Sequence, residues 1–241
     1  MMRGLIALLS LLALALPAQA GCDALRFEGA DYTVCRFDVA KDHLSLFNLD
    51  AAGQPYGTFE ALSDALQAQG KTLAFAMNAG MFDENLKPIG LYVEEGKQAK
   101  KLNRRNGGGN FHLKPNGVFF IEGGKAFVME TEAYAQGKHN PDFATQSGPM
   151  LVIDGAIHPK FSATGPSRKR RNGVGVVDDH TVVFAITEGF ENFYDFARLF
   201  RDGLHVQNAL FFDGSVSSLY DAETRRDDAF LPLGPMVAVV K

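Results

Sequence analysis

Apolar and polar residues alternate in short runs along most of the chain, and turn-forming pairs separate the runs. "YTVCRF" (32–37) and "HLSLFN" (43–48) read as strands. "GLYVEEGKQAKKL" turns at Glu95-Gly96 and "GVFFIEGGKAFVME" at Gly123-Gly124. "MLVIDGAIH" turns at Asp154-Gly155 and "GVGVVDDHTVVFAIT" at Asp178-Asp179. Dipeptides of this kind between alternating or apolar runs are hairpin signals, so much of the sheet is expected to be antiparallel.

Two stretches switch to a helical period. In "TFEALSDALQAQG" Phe59, Leu62 and Leu66 share a face, with Thr58 placed to cap and Gly70 to stop the helix. In "NFYDFARLFRDG" Phe193, Phe196, Ala197 and Phe200 form an i, i+3, i+4, i+7 stripe behind Asn192 as cap. Each helix leads into an apolar strand that delivers a short polar side chain and then glycine. "TLAFAM" ends on Asn78-Ala79-Gly80, and "ALFF" ends on Asp213-Gly214. If both strands lie in one sheet, Asn78 and Asp213 converge on one edge, where α/β architectures place ligands. A hairpin turn at Asp213-Gly214 is the competing reading, although no clean strand of alternating character follows it. The expected fold is a single α+β domain: a mixed, mostly antiparallel sheet with helices at 58–69 and 192–202 packed on it. The cleft would lie at the ends of the strands that follow those helices.

Composition adds bounds. With 241 residues, 46% of them hydrophobic, the chain can bury one sizeable core. A net charge of only -4 gives no reason to expect a nucleic-acid partner. Residues 1–20, "MMRGLIALLSLLALALPAQA", join one cation to an apolar run and a small-x-small end, the pattern of a secretory signal peptide cut after Ala20. No membrane span is expected after it. Acylation of Cys22 is disfavoured, because Gln19 replaces the usual aliphatic residue of a lipoprotein signal. The protein is thus expected to be periplasmic or secreted, with residues 21–241 as the working domain. In an oxidising compartment Cys22 and Cys35 are expected to form a structural disulfide.

Standard motifs for other chemistries are missing. "GKT" at 70–72 ends a helix and lacks the upstream glycine of a phosphate loop, and no G-x-S-x-G is present. The six histidines show no metal-ligand spacing, so neither metal nor cofactor is expected. Two loops stay open to two readings. "NRRNGGGNFHLKPNG" (103–117) suits either close backbone approach to an anion or a mobile surface loop. "ATQSGPM" (144–150) suits a rigid cleft wall or a plain turn. The basic run Arg168–Arg171 precedes a strand. Arg171, at the strand entrance, is the member best placed to grip a phosphate with its planar guanidinium.

Four blocks in order, "NAGMF" (78–82), "SGPMLV" (147–152), "RNGVG" (171–175) and "DGSVS" (213–217), resemble the phosphodiester glycosidase family over residues 72 to the C-terminus. The resemblance implies hydrolysis of the glycosidic C–O bond of an N-acetylglucosamine-like sugar 1-phosphodiester. It implies Asp213, Arg171 and Asn78 as catalytic residues and Gly80, Ser147, Gly148, Asn172, Gly214 and Ser217 as substrate contacts. On this reading Gly214 lets backbone pass close to the ligand, and Ser217 supplies a hydroxyl. Ser215 and Val216 depart from the family, where two more glycines are common, and put the acceptor side of the diester in question. A phosphodiester leaving group is already a stable anion, so one carboxylate plus an anion clamp suffices where ordinary glycosidases need two acids. Glu188 is the best spare carboxylate. A metal-assisted attack on phosphorus and a non-catalytic glycan-binding module are the alternatives.

Overall fold

The computed structural model describes residues 20–228 and 230–241. Apart from Ala20, the expected signal peptide lies outside them. Three sheets make up the domain, and every strand pair within them is antiparallel. The expectation of a mixed sheet therefore resolves into antiparallel pairing, and the α+β class holds.

The first sheet has seven strands in the order β1 (Gly21–Phe27), β2 (Ala30–Asp38), β13 (Thr181–Thr187), β12 (Asn172–Val176), β14 (Asn208–Phe211), β10 (Met150–Ile153) and β11 (Ala156–Ile157). The second runs β16 (Arg226–Asp227), β15 (Leu219–Asp221), β4 (Leu73–Asn78), β17 (Met236–Val240) and β3 (His43–Phe47). The third runs β6 (Lys97–Lys100), β5 (Tyr92–Glu94), β9 (Phe143–Ser147), β7 (Gly117–Glu122) and β8 (Lys125–Glu130). The hairpins at 95–96, 123–124, 154–155 and 178–179 form where the turn pairs place them.

The inner faces of the sheets meet in one phenylalanine-rich core. Phe184 is its hub: its ring centroid lies 5.2 Å from Phe75, 6.1 Å from Phe119 and 6.3 Å from Phe37. Each outer face is covered by a helix. The helix α1 (Phe59–Gln67) seals β4 and β17 with Phe59, Leu62 and Leu66. Thr58 caps it by accepting a hydrogen bond from Ala61 N at 3.1 Å. The short α2 (Thr131–Gln136), which no apolar period announced, lies on β7 and packs Tyr134 on Phe120. The third, α3 (Phe193–Arg198), is capped by Asn192 and runs into a π-turn over 199–203. It seals the first sheet with Phe196, Leu199 and Phe200.

This layering explains the unbroken apolar run of β4. Phe75 and Met77 face the common core while Ala76 faces α1, and a bulge between Leu73 and Phe75 returns Leu73 to the α1 side, so both sides are filled with apolar side chains. At the N-terminus Cys22 and Cys35 stand opposite each other on β1 and β2 and are joined by a disulfide. β1 and β3 are edge strands, whereas β2 is interior, paired with β13 along its length.

Candidate active site

Strand ends from all three sheets meet at one point. Asn78 closes β4, Ser147 closes β9, Asn172 opens β12, and Asp213 follows two residues after β14. The strands carrying Asn78 and Asp213 belong to different sheets, contrary to the one-sheet expectation, yet their ends still converge. Asn78 Nδ2 donates to the Asp213 carbonyl at 3.2 Å.

The residues around Asp213 form a closed polar network. Asn172 Nδ2 donates to Asn78 Oδ1 at 2.9 Å and to Asn78 O at 3.0 Å. Asn172 Oδ1 accepts from Asp213 N at 3.3 Å and from Ser217 Oγ at 3.1 Å. Ser217 Oγ also reaches the Asp213 carbonyl at 3.0 Å, and Ser218 N donates to Asn78 Oδ1 at 2.9 Å. From the third sheet Ser147 Oγ donates to the Phe212 carbonyl at 2.7 Å. Asn78, Ser147 and Asn172 are fully buried and Ser217 nearly so. These side chains therefore spend their polar groups on holding the 212–218 loop. A buried hydrogen-bonded network of this kind fixes one geometry.

The glycines act in the same way. Gly80 adopts φ +102°, and a Cβ there would stand 2.5 Å from Thr145 Oγ1, the hydroxyl that caps the Ala79 carbonyl. A Cβ on Gly148 would collide with Asn116 Cβ at 2.5 Å, and one on Gly214 with the Arg170 carbonyl at 2.8 Å. The close approach at Gly214 is to the chain's own strand entrance.

Asp213 is the exception in the network, because its carboxylate is not consumed by it. Oδ1 accepts Ser215 N at 2.9 Å, and Oδ2 has no partner among the described residues. Partial burial raises its pKa above the usual aspartate value; the Ser215 bonds oppose this, and no cation takes part. The sequence thus delivers a rigidly mounted carboxylate with one free oxygen.

Arg171 is placed otherwise than expected. It is 1% exposed, Nε donates to Glu191 O at 2.6 Å and Nη2 to Ser167 O at 2.8 Å. The guanidinium lies 3.6 Å above the Phe193 ring centroid. Burial lowers its pKa to about 10, against the opposing pull of Glu191. With Nε and Nη2 turned to backbone carbonyls, its face on an aromatic ring and almost none of its surface exposed, Arg171 ties the 167–193 segment together and presents no free fork to a phosphate.

Its neighbour Arg170 is the cation beside the loop. Nε donates to Thr187 O at 3.3 Å and Nη2 to Asp228 Oδ2 at 3.0 Å, while Nη1 has no partner among the described residues. Asp228 Oδ2 also accepts Leu219 N at 3.2 Å and is bound by Arg226 at 3.0 Å. Arg226 reaches on to Glu188, whose Oε1 accepts from Arg226 Nη1 and from Thr33 Oγ1 at 2.6 Å each. Burial alone would raise Glu188, but Arg226 and Thr33 hold its pKa below the ordinary value, so it is an ion-pair member. The exposed ring of Phe230 stands 5.9 Å from the Arg170 guanidinium. Sequence reasoning passed over Arg170, Arg226 and Asp228, which lie in runs of adjacent charges, "SRKRR" and "TRRDD". Only the 58-residue separation closed by the Arg170–Asp228 pair gives them meaning.

The sequence profile of the phosphodiester glycosidase family matches residues 71–239. The chain belongs to this family. It is 38% identical over 179 residues to the uncharacterised protein YigE of Escherichia coli K12, covering 74% of this chain and 70% of YigE. The fold is shared with the zebrafish N-acetylglucosamine-1-phosphodiester alpha-N-acetylglucosaminidase catalytic domain auto-inhibited by its pro-peptide. There the TM-score is 0.61 at 16% identity, over 90% of this chain and 81% of that one. It is also shared with a Burkholderia pseudomallei protein described as exported, with a TM-score of 0.55 at 11% identity over 87% of this chain and 74% of that one. No helix among the described residues is long and apolar enough to cross a membrane, and no three His, Cys, Asp or Glu side chains there gather as metal ligands.

Proposed function

We propose that this family member hydrolyses the glycosidic C–O bond of a sugar 1-phosphodiester, releasing free sugar and a phosphomonoester. The observation that carries the reading is Asp213: a carboxylate with one free oxygen, mounted by side chains from three sheets. Water attacks the anomeric carbon and passes its proton to Asp213 Oδ2. The C–O bond breaks with its electron pair leaving on the phosphate oxygen. The departing phosphomonoester is a stable anion, so no second carboxylic acid is required to protonate it. A carboxylate whose pKa is raised by burial is a stronger base than a surface aspartate and suits the proton-accepting step.

The anion clamp falls to Arg170, in place of the buried Arg171. Its free Nη1 is the donor left for a phosphate oxygen, and the exposed Phe230 beside it offers an apolar face to a sugar ring. Asn78, Asn172, Ser147 and Ser217 act on the reaction by fixing Asp213. The N-acetylglucosamine-like sugar follows the named activity of the zebrafish relative. Work in the periplasm or outside the cell, on envelope or exported polysaccharide, is supported by the disulfide and the exported relative and agrees with the signal peptide expected at residues 1–20.

The test is turnover of an alkyl phosphodiester of N-acetylglucosamine 1-phosphate in ¹⁸O-water, read by mass spectrometry. Label in the free sugar is expected. Label in the phosphate places attack at phosphorus and refutes the proposal.

A further inference from the structure

The 26 residues from Gly96 to Ile121 contain six Lys and Arg and no Asp or Glu, in a chain whose net charge is -4. The run begins on β6, an edge strand exposed along its whole length. It continues into the 101–114 loop. Among the described residues only Arg104 of these six has a carboxylate partner, Glu132. The other five charges are uncompensated, and adjacent like charges repel, so such a face gains from a polyanion that neutralises several at once.

This face is also concave. A hollow of about 550 Å³ is lined by Lys100, Lys101, Arg104 and Arg105 together with Ile89 and Asn103, without a carboxylate in its wall. It shares Ala99 and Lys100 with a second hollow of about 490 Å³. There Leu49, Pro88 and Tyr92 give an apolar wall, with Glu94 and Glu95 beside it. Asn48 lines it as well, 3% exposed and with its side-chain oxygen unpartnered among the described residues. One hollow thus suits anionic phosphate and the next an uncharged ring with hydroxyls.

The loop is anchored. Asn103 N donates to Gln146 Oε1 and Gln146 Nε2 to Asn103 O, both at 2.8 Å, while Asn103 Nδ2 holds Ile89 O at 2.9 Å. The residue after Gln146 is Ser147, which holds the Phe212 carbonyl next to Asp213. One strand end therefore ties the cationic hollow to the loop that carries Asp213.

We propose that these joined hollows are a binding groove for a polyanionic glycan, so that the substrate is a phosphodiester-linked polymer seated at Lys97–Arg105 with one linkage at Asp213. The polymer assignment rests on the glycosidase reading; binding in the groove does not.

The test is fluorescence anisotropy of a labelled octamer of N-acetylglucosamine 1-phosphate on the full chain carrying Asp213→Asn, which prevents cleavage. Expected are binding that weakens steeply with salt and a loss of about ten-fold or more in affinity on adding K100E, K101E and R105E. K100R with K101R should bind like the parent, which separates lost charge from damaged folding. With Asp213 intact, the triple reversal should leave turnover of the small alkyl diester within about two-fold of the unmutated chain. Unchanged octamer affinity in the triple reversal overturns the groove, as does equally tight binding of a neutral chitin octamer. An eight-nucleotide single-stranded DNA that binds as tightly overturns the glycan assignment. If the unmutated chain leaves the small diester intact while the octamer still binds through these cations, the groove stands and the catalytic reading falls.

Discussion

Replacing Asn172 with alanine separates a loop holder from a substrate contact. The side chain is fully buried and makes four hydrogen bonds. Some partners keep a second contact after its loss: Asn78 Oδ1 retains Ser218 N, and Ser217 Oγ retains the Asp213 carbonyl. The Asp213 N–H does not, and a buried donor left without a partner costs about 1–3 kcal/mol. The vacated amide volume adds about 1–2 kcal/mol, so N172A should lose roughly 2–5 kcal/mol of unfolding free energy. Typical domains hold about 5–15 kcal/mol, so the variant should still fold. The freed 212–218 loop lets the Asp213 carboxylate drift, and a displacement near 1 Å lowers kcat by about 10²-fold. The chain lacks tryptophan, so far-UV circular dichroism across a urea series is the stability assay, paired with steady-state kinetics on the alkyl diester. Unchanged stability, within about 0.5 kcal/mol, together with a raised KM would refute the argument and return Asn172 to the substrate.

Further expectations concern charge and the N-terminus. D213N should abolish turnover, and it should be at least as stable as the parent at pH 7. Burial raises the Asp213 pKa, so the stability linked to its protonated form is complete below the unfolded value and is lost as pH climbs through the raised one. The asparagine escapes that loss, and the gap should close near pH 3; a less stable D213N at pH 7 contradicts this. R171M, stripped of its bonds to Glu191 O and Ser167 O, should lower the urea midpoint by an amount equivalent to about 2–4 kcal/mol with little change in KM. R170M should do the reverse, raising KM about ten-fold or more with a small stability cost. Reduction of the Cys22–Cys35 bond, a separation of 13 residues, should cost roughly 3 kcal/mol, read from urea curves with and without reductant.

Local chemistry wrote much of this molecule into the sequence. Thr58 and Asn192 cap the helices they precede, because short polar side chains satisfy free N–H groups only at such positions. Asn78 and Asp213 were legible because apolar strands rarely end on a short polar residue with glycine close behind. Their meeting was legible only in part. Which sheet a strand joins depends on partners such as β15 and β17, more than 130 residues beyond β4, and no local period encodes that. The same limit applies to Arg171. Its position at a strand entrance was plain, but the Phe193 ring and the Glu191 carbonyl that absorb its charge come from a segment some 20 residues on. Ser147, Asn172 and Ser217 meet the same limit: a motif tells which residues surround a site, and burial and hydrogen bonding show what holds them there.

The position of β17 has a consequence for timing. Residues 236–240 lie between β3 and β4, so the sheet that carries Asn78 lacks an interior strand until β17 has been made. A ribosome makes the Asn78 strand well before its neighbours β15 and β17. The nascent chain therefore cannot set the Asp213 loop on its three supports until β17 has emerged. The order of strands thus works as a delay between making the Asn78 strand and fixing the Asp213 carboxylate.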